Sequence, residues 1–465
     1  MLFYKLEVPY AKRTEQKVLD SFRHVENELQ HPSEEVCVDS SILGLARNLL
    51  SGVFTGFDFG DIEPAHGPGF VATGERGNGK YSFSRKYQRL HSKFPYYRYF
   101  SPSLSRVAFE SGWYKRLLPQ VNPIAKVALV PKDSRGPRLI SMEPLELQWI
   151  QQGILRKLVP YIERHRIFRG QINFTDQSKN QQAALRASLS RDVATVDLKD
   201  ASDRVSLSLV RSLFGSEVCE FLEACRSVAT KLPSGEVLPL KKFAPMGSAL
   251  CFPILSMSIW ALVVATLRLN NLDTSKVLVY GDDLVVPTDS LPLVVNVLHS
   301  AGLLVNIDKT FHRSHFRESC GMDAYKGVQV TPLRVKKEFT GNRRDFRAYV
   351  HYIELSEAFF DKGLWSTVAF LRDEVRKVYG LIPWTHNRQY PGFYCPDIRV
   401  CSDRNYRFKR RYNRNLHRHE ILVRTVRPRN SDSSICETGR MLKGLLGLYE
   451  FASENHRVAL RGESV

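Results

Sequence analysis

Two short apolar runs, Val277-Leu-Val-Tyr280 and Leu284-Val-Val286, bracket the tripeptide Gly281-Asp282-Asp283. A glycine able to take positive φ between such runs predicts a tight hairpin whose strands are buried on both faces. Upstream, Ala194-Thr-Val196 is another β-like run, which ends in Asp197 and then turns toward a helix. Residues 249 to 267 are mostly apolar and approach the length that spans a bilayer. Pro253, Ser256, Ser258 and Thr266 interrupt that stretch, and polar loops flank it, so it reads as a helix buried in a soluble core. Further upstream the pattern predicts a strand over 127–130, a turn over 131–137, a strand over 138–141 and a helix from 146 to 158, the first three forming a basic hairpin. The first sixty residues read as mixed helix, for example around 41–50, and a Gly/Pro loop follows over 64–80. Residues 437 to 451 read as a final amphipathic helix.

Composition narrows the class. With 465 residues, 43% of them hydrophobic, the chain is long enough for roughly two to four domains or one multi-lobed unit. A formal charge of +19 calls for a polyanionic partner, nucleic acid first. The basic residues are spread along the chain and form no long basic amphipathic helix, which sets a membrane surface aside. Residues 404 to 429 hold ten Lys/Arg against one Glu, and residues 81 to 100 interleave eight aromatics with five Lys/Arg and no acid. Either stretch suits contact with a nucleic-acid backbone and bases; the plainer readings are a solvated segment for the first and core aromatics for the second. The eight cysteines show no Cys-x-x-Cys pair and no zinc-type spacing, so reduced thiols are expected. The amino terminus is charged within seven residues and lacks an apolar signal region, which argues against secretion. Gly74 to Lys80 matches the spacing of a phosphate cradle, but Tyr81 replaces the needed Ser/Thr and no clear strand precedes it, so that reading is set aside.

The chemistry concentrates in three acids. Carboxylates at apolar-to-polar junctions would be costly unless neutralised, which makes divalent metal the economical partner for Asp282 and Asp283. Two-metal phosphoryl transfer needs acids from separate strands around ions roughly 4 Å apart. Asp197 supplies the second strand. Between these acids lies Ala244-Pro-Met-Gly247-Ser248, which feeds the apolar helix, and after them comes Asn306-Ile-Asp-Lys309.

Acid strand, Met-Gly loop with helix, Gly-Asp-Asp hairpin and downstream Lys stand in the order of a template-directed polymerase palm. Here the chain resembles the RNA-directed RNA polymerases of positive-strand RNA bacteriophages, the leviviral replicase subunit. The segment from Phe316 to Pro332, with Cys320-Gly321 and Lys326-Gly327 and the pair Lys336-Lys337 after it, is similar to that family's motif E. Lys132-Asp-Ser-Arg135-Gly-Pro-Arg138 with Glu143-Pro144 resembles its basic finger motif, and Asp176 to Gln181 the polar segment before motif A. The resemblance covers residues 126 to 337. It departs from the family pattern after the motif B methionine, where Gly247-Ser248-Ala249 replaces Gly-Asn-Gly, and in the helix beyond, where Pro253 and Leu255 stand in place of two acids. Asp200 is an extra acid left outside the metal set.

The resemblance implies an α+β right-hand polymerase with an antiparallel palm sheet and packed helices. Its expected parts are an amino-terminal region and fingers over 1–190, including a basic hairpin at 126–144, and a palm over 191–335 with a finger insertion at about 205–243. A thumb and basic carboxy-terminal region would follow over 336–465. The expected metal ligands are Asp197, Asp282 and Asp283, holding two Mg²⁺ with Mn²⁺ as an admissible substitute. Lys132, Arg135 and Arg138 suit the roughly four negative charges of an incoming nucleotide. Asp203 is the expected acceptor for a ribose hydroxyl, helped by Gly247 and Ser248, and Lys309 the general acid for departing pyrophosphate, with a plain salt bridge as its rival. RNA template and product and ribonucleoside triphosphates are the expected partners, and no membrane is. Host translation elongation factors Tu and Ts, and the cytoplasm of a bacterial host, follow from the resemblance alone. The alternatives are a reverse transcriptase, though no bulky aromatic lies between Asp197 and Asp203, and a non-catalytic RNA-binding protein.

Overall fold

The computed structural model describes residues 5–29, 31, 34, 36–101, 111–385, 388–396, 409–424 and 460–464. Its strands fall where the apolar runs predict them. Leu278–Tyr280 and Asp283–Pro287 form the hairpin, and Asp283–Pro287 also pairs antiparallel with Val193–Val196. Backbone bridges extend this three-stranded layer at both edges, Phe311 beside Thr195 and Ile172 beside Val279. Burial on both sides explains the near-continuous Val/Leu content of the central strand.

Beneath the sheet runs the helix Cys251–Leu269, sixteen of whose nineteen residues are buried, as the sequence predicts for a core helix. It packs against the helix Ser40–Phe54 in the largest apolar cluster of the molecule. That partner helix begins where Asp39 accepts the Ser41 and Ile42 amides at 2.8 and 3.3 Å, an N-cap arrangement. Trp260, fully buried, meets Phe168 edge-on at 4.7 Å and donates its indole N–H to Gln171 Oε1 at 2.8 Å. The Gln171 carbonyl in turn accepts the Val279 amide at 2.8 Å, so the core helix is hydrogen-bonded through Gln171 to the hairpin.

A four-stranded sheet joins Gly136–Met142, Ile124–Asp133, Ala229–Lys231 and Val237–Pro239 in that spatial order. The basic hairpin strands are therefore longer, and the turn shorter, than the sequence predicts. Asp133 explains the difference. Fully buried, it accepts the Arg135 amide at 3.1 Å and the guanidinium at 3.1 and 2.7 Å, closing the turn over Ser134. Asx side chains that take nearby backbone N–H groups favour such tight turns.

By contacts the chain divides into two units, Tyr10–Pro131 with Gly136–Thr331, and Met1–Pro9 with Lys132–Arg135 and Pro332–Val465. In the second, the helices Phe346–Asp361 and Trp365–Tyr379 pack together around Tyr349, Ile353 and Val375. The Glu7 amide donates to the Lys336 carbonyl at 2.9 Å, and Glu7 pairs with Lys337.

Other sequence readings resolve here. Of the eight aromatics over 81–100, only Tyr81 and Tyr97 are exposed; the rest are buried, so the stretch is mainly core. Lys80 is buried and donates to the carbonyls of Gly67 and Gly69 at 2.9 and 2.5 Å, which leaves its ammonium turned away from any phosphate. Cys395 is disulfide-bonded, against the expectation of reduced thiols: local spacing says nothing of cysteines that folding brings together. Cys219, Cys225, Cys251 and Cys320 are free thiols. The amphipathic helix expected over 437–451 lies outside the described residues, as do 404–408 and 425–429 of the basic stretch.

Candidate active site

Register gathers the acids. Leu284 stands opposite Val196 across the central strand pair; Asp283 and Asp197 are the next residues on either side of it, and the charge of Asp197 reaches the Asp283 carboxyl. Asp282 occupies the turn between Tyr280 and Asp283. Gly281 makes that turn possible on two counts. Its φ is +65°, and a Cβ there would lie 2.0 Å from the ring of Phe252 on the core helix. The Gly281 amide donates to Ser256 Oγ at 3.1 Å, which pins the turn to the same helix.

The electrostatics follow from this crowding. Burial lifts the Asp283 carboxyl to about 6, aided by the charges of Asp282 and Asp197 and opposed by a hydrogen bond from the Cys320 backbone. Asp282 is also raised, first by the protein around it and then by Asp197, while Arg138 and Lys309 pull it down. Solvent still reaches Asp282 at the hairpin tip. Asp197 is held differently: Asn306 Nδ2 donates to its Oδ2 at 2.9 Å, and Lys309 Nζ stands 3.5 Å from the same oxygen. The cause is local. Leu304–Val305 pairs with Leu198–Lys199 and Phe311 with Thr195, so the turn Ile307–Lys309 is carried past Asp197.

Asp203 and the Met-Gly loop converge on the head of the core helix. The buried Cys251 thiol is pushed up by burial and then by the charges of Asp203 and Asp282, so both carboxylates flank that helix end. Gly247 has φ +126°, and a Cβ would sit 2.2 Å from the Ser141 carbonyl oxygen. Only glycine lets this loop lie on the strand, where the Ser141 amide donates to Met246 O at 2.7 Å. Ser248 is buried and accepts the Leu250 amide at 3.4 Å. Asp203 is bonded to Lys242, 3.0 Å away. Asp200 is exposed with φ +50°.

Of the sequence-predicted residues, the structure thus brings Asp197, Asp282, Asp283, Lys309 and Arg138 into one electrostatic neighbourhood, with Asp203, Gly247 and Ser248 around the adjoining helix end. Lys132 and Arg135 belong to the other unit, where the Arg135 guanidinium is folded back on Asp133. The carboxyl of Asp133 is held far below its ordinary range by that hydrogen bond and the Arg135 charge.

Several supporting residues lie in segments that carry the resemblance, yet sequence reasoning gave them no individual role. Helix Ser178–Ser190 braces the hairpin: Asn180 Nδ2 donates to the Asp283 carbonyl at 3.3 Å and Gln181 Nε2 to that of Cys320 at 3.0 Å. Gln177 reaches the Tyr280 hydroxyl at 3.1 Å. Arg317, fully buried, donates only to main-chain carbonyls, among them Val193 O at 2.8 Å, and ties the Phe316–Ser319 strand to the acid strand. Asn306 had a signal, three residues before Lys309; Lys242 had none in its local sequence.

Among the described residues, no three His, Cys, Asp or Glu side chains already enclose a metal position. The donor set still fits a divalent cation. The carboxyls of Asp282 and Asp283 are raised by burial and by neighbouring carboxylate charge, which a cation would relieve.

The chain is similar to proteins already known. The chain is 36% identical over 217 residues to the RNA-directed RNA polymerase subunit beta of Qbeta virus (strain MX1), a match covering 47% of this chain and 36% of that one. It is 33% identical over 280 residues to the corresponding subunit of Enterobacteria phage SP, covering 59% and 46%. The matched stretch is less than half of either relative's length. A solved RNA-dependent RNA polymerase of a human picorbirnavirus aligns with a TM-score of 0.44 and 11% identity, over 77% of this chain and 72% of that one. The sequence model for RNA replicase, beta-chain, matches residues 22–345, well over half of the chain, and the chain belongs to that family.

Proposed function

We propose that the protein synthesises RNA on an RNA template, the 3′-hydroxyl of the growing strand attacking the α-phosphate of a ribonucleoside triphosphate with release of pyrophosphate. One observation carries the reading: the charges of Asp197 and Asp282 reach the Asp283 carboxyl, next to the paired residues Leu284 and Val196, with Asp282 at the intervening turn. Asp197, Asp282 and Asp283 would hold two Mg²⁺, or Mn²⁺ in their place. Bound there, the cations supply activation of the attacking hydroxyl and neutralisation of the leaving group. Arg138, exposed on its strand and electrostatically coupled to Asp282, takes the triphosphate. Lys132 and Arg135 are the further cations the sequence marks for the phosphates. Lys309, now paired with Asp197, carries the proton for pyrophosphate. Asp203 accepts a hydrogen bond from the ribose hydroxyl, and the Gly247-Ser248 loop shapes the space for the sugar.

In this reading residues 1–190 supply fingers, with the 126–144 hairpin and the insertion at about 205–243 that shares its sheet. Residues 191–335 supply the palm, and 336–465 the thumb and basic tail. Viral RNA is template and product, the bacterial cytoplasm is the setting, and translation elongation factors Tu and Ts are candidate host subunits.

The test is incorporation of labelled ribonucleotides and, separately, deoxyribonucleotides on an RNA template. Asp282→Asn is expected to lower ribonucleotide incorporation by about a hundredfold or more. Equal synthesis by this variant refutes the enzyme reading, and a preference for deoxyribonucleotides would make the protein a reverse transcriptase.

A further inference from the structure

Asp203 is held by residues from far along the chain. Lys242 Nζ lies 3.0 Å from Asp203 Oδ1 and 3.2 Å from Glu26 Oε2, with its side chain fully buried. The same ammonium sits 3.7 Å from the ring centroid of Phe22. Glu26, also buried, accepts the Lys242 amide at 3.3 Å and that of Lys241. Arg226 fixes the segment from the other side, donating to the carbonyls of Phe243, Leu240 and Lys242 at 2.6, 3.1 and 2.8 Å. The next residue after Asp203 is tied to the same helix end, Arg204 Nη2 donating to Glu28 Oε2 at 2.7 Å.

Burying an ammonium this completely is expensive, and an apolar side chain of the same length would often stabilise the fold as well or better. Stability alone therefore explains Lys242 poorly. Its position explains it better, because Asp203 keeps 20% side-chain exposure while Lys242 keeps none. The ammonium grips one carboxylate oxygen from the protein side and leaves the carboxylate accessible to solvent.

We propose that Lys242 is a positioning residue for sugar selection: clamped by Glu26 and Arg226, it holds the Asp203 carboxylate in the one orientation that accepts a ribose 2′-hydroxyl. The helix Lys12–Glu28 thereby becomes part of the substrate-selecting apparatus through Glu26. The inference rests on the reading of Asp203 as the ribose acceptor, given above.

The test measures kcat/KM for UTP and for dUTP on an RNA template, with the full-length protein in the form that supports synthesis. Asp203→Asn sets the scale. Lys242→Met, which keeps the length over Phe22, is expected to lower the UTP/dUTP ratio by about tenfold, and the double variant to fall no further than D203N. Lys242→Arg is expected to return the ratio to within about threefold of wild type. A K242M enzyme that is slower or less stable, yet whose ratio stays within about twofold of wild type while D203N lowers it, overturns the inference and leaves Asp203's role standing. An unchanged ratio in D203N sinks the underlying reading and this inference together. If K242M does not fold, Glu26→Gln carries the test: it retains an acceptor for the two amides but removes the counter-charge, is expected to shift the ratio the same way, and an unchanged ratio refutes the clamp.

Discussion

Asp283 has a measurable signature at the scale of a single residue. Its carboxyl is raised to about 6 by burial and by two neighbouring carboxylates, above an unfolded value of about 3.9. The folded state therefore binds the extra proton, and the stability this group contributes is fully present below about pH 4 and lost as pH rises through about 6. A divalent cation takes only the charged form. Mg²⁺ is thus expected to raise the melting temperature at about pH 7.5 and to do little near pH 5. Thermal scans with and without MgCl₂ across that range check it. Asp283→Asn should flatten both dependences, and an equal Mg²⁺ shift at the two pH values would count against the donor set. The acids were visible in the sequence as carboxylates at the margins of apolar runs, Asp197 after one and Asp282 and Asp283 between two. The grip on Asp197 by Asn306 and Lys309 was only half legible, since the Lys was marked by motif order and the Asn only by its place three residues before it.

Hairpin and core helix behave as one element pair. Gly281 has both a left-handed φ and no room for a methyl group beside Phe252. Gly281→Ala is expected to cost at least about 2 kcal/mol, from the αL penalty and the forced shift of the ring. Gly281→Ala combined with Phe252→Ala should relieve the steric part and keep the backbone part. Denaturant unfolding of the two variants separates these contributions, and a G281A protein as stable as wild type would contradict the collision. Elements were the most readable level. The hairpin, the acid strand and the Cys251–Leu269 helix each announce themselves through mostly apolar runs that burial on all sides accommodates. Over 81–100 the same logic failed to discriminate, because aromatics serve a core and a nucleic-acid platform equally well; six of the eight turned inward. The Glu26–Lys242–Asp203 clamp was beyond reading, since its members lie far apart in sequence and Glu26 and Lys242 each resemble an ordinary surface charge.

The whole molecule carries +19, and its affinity for RNA should reflect this more than any one contact. Single-stranded RNA binding is expected to weaken by about a hundredfold or more between 50 and 200 mM salt, with a log–log slope of about −0.7 per phosphate neutralised. Filter binding or fluorescence anisotropy over a salt series measures it, and a flat response would show that the charge is not spent on the backbone. Spread charge of this kind was visible in composition; which cations face the acids was not, and Arg138 and Arg135 differ only because one strand continues and one turn folds back on Asp133. The pairing of Leu284 with Val196 also bears on how such a gene can change. Side chains alternate along a strand, so removing a single codon between Val193 and Val196 would exchange the side chains on its two buried faces and shift Asp197 relative to the hairpin. Insertions and deletions there are tolerable only in pairs, and the lineage's freedom to vary in length must lie in the loops.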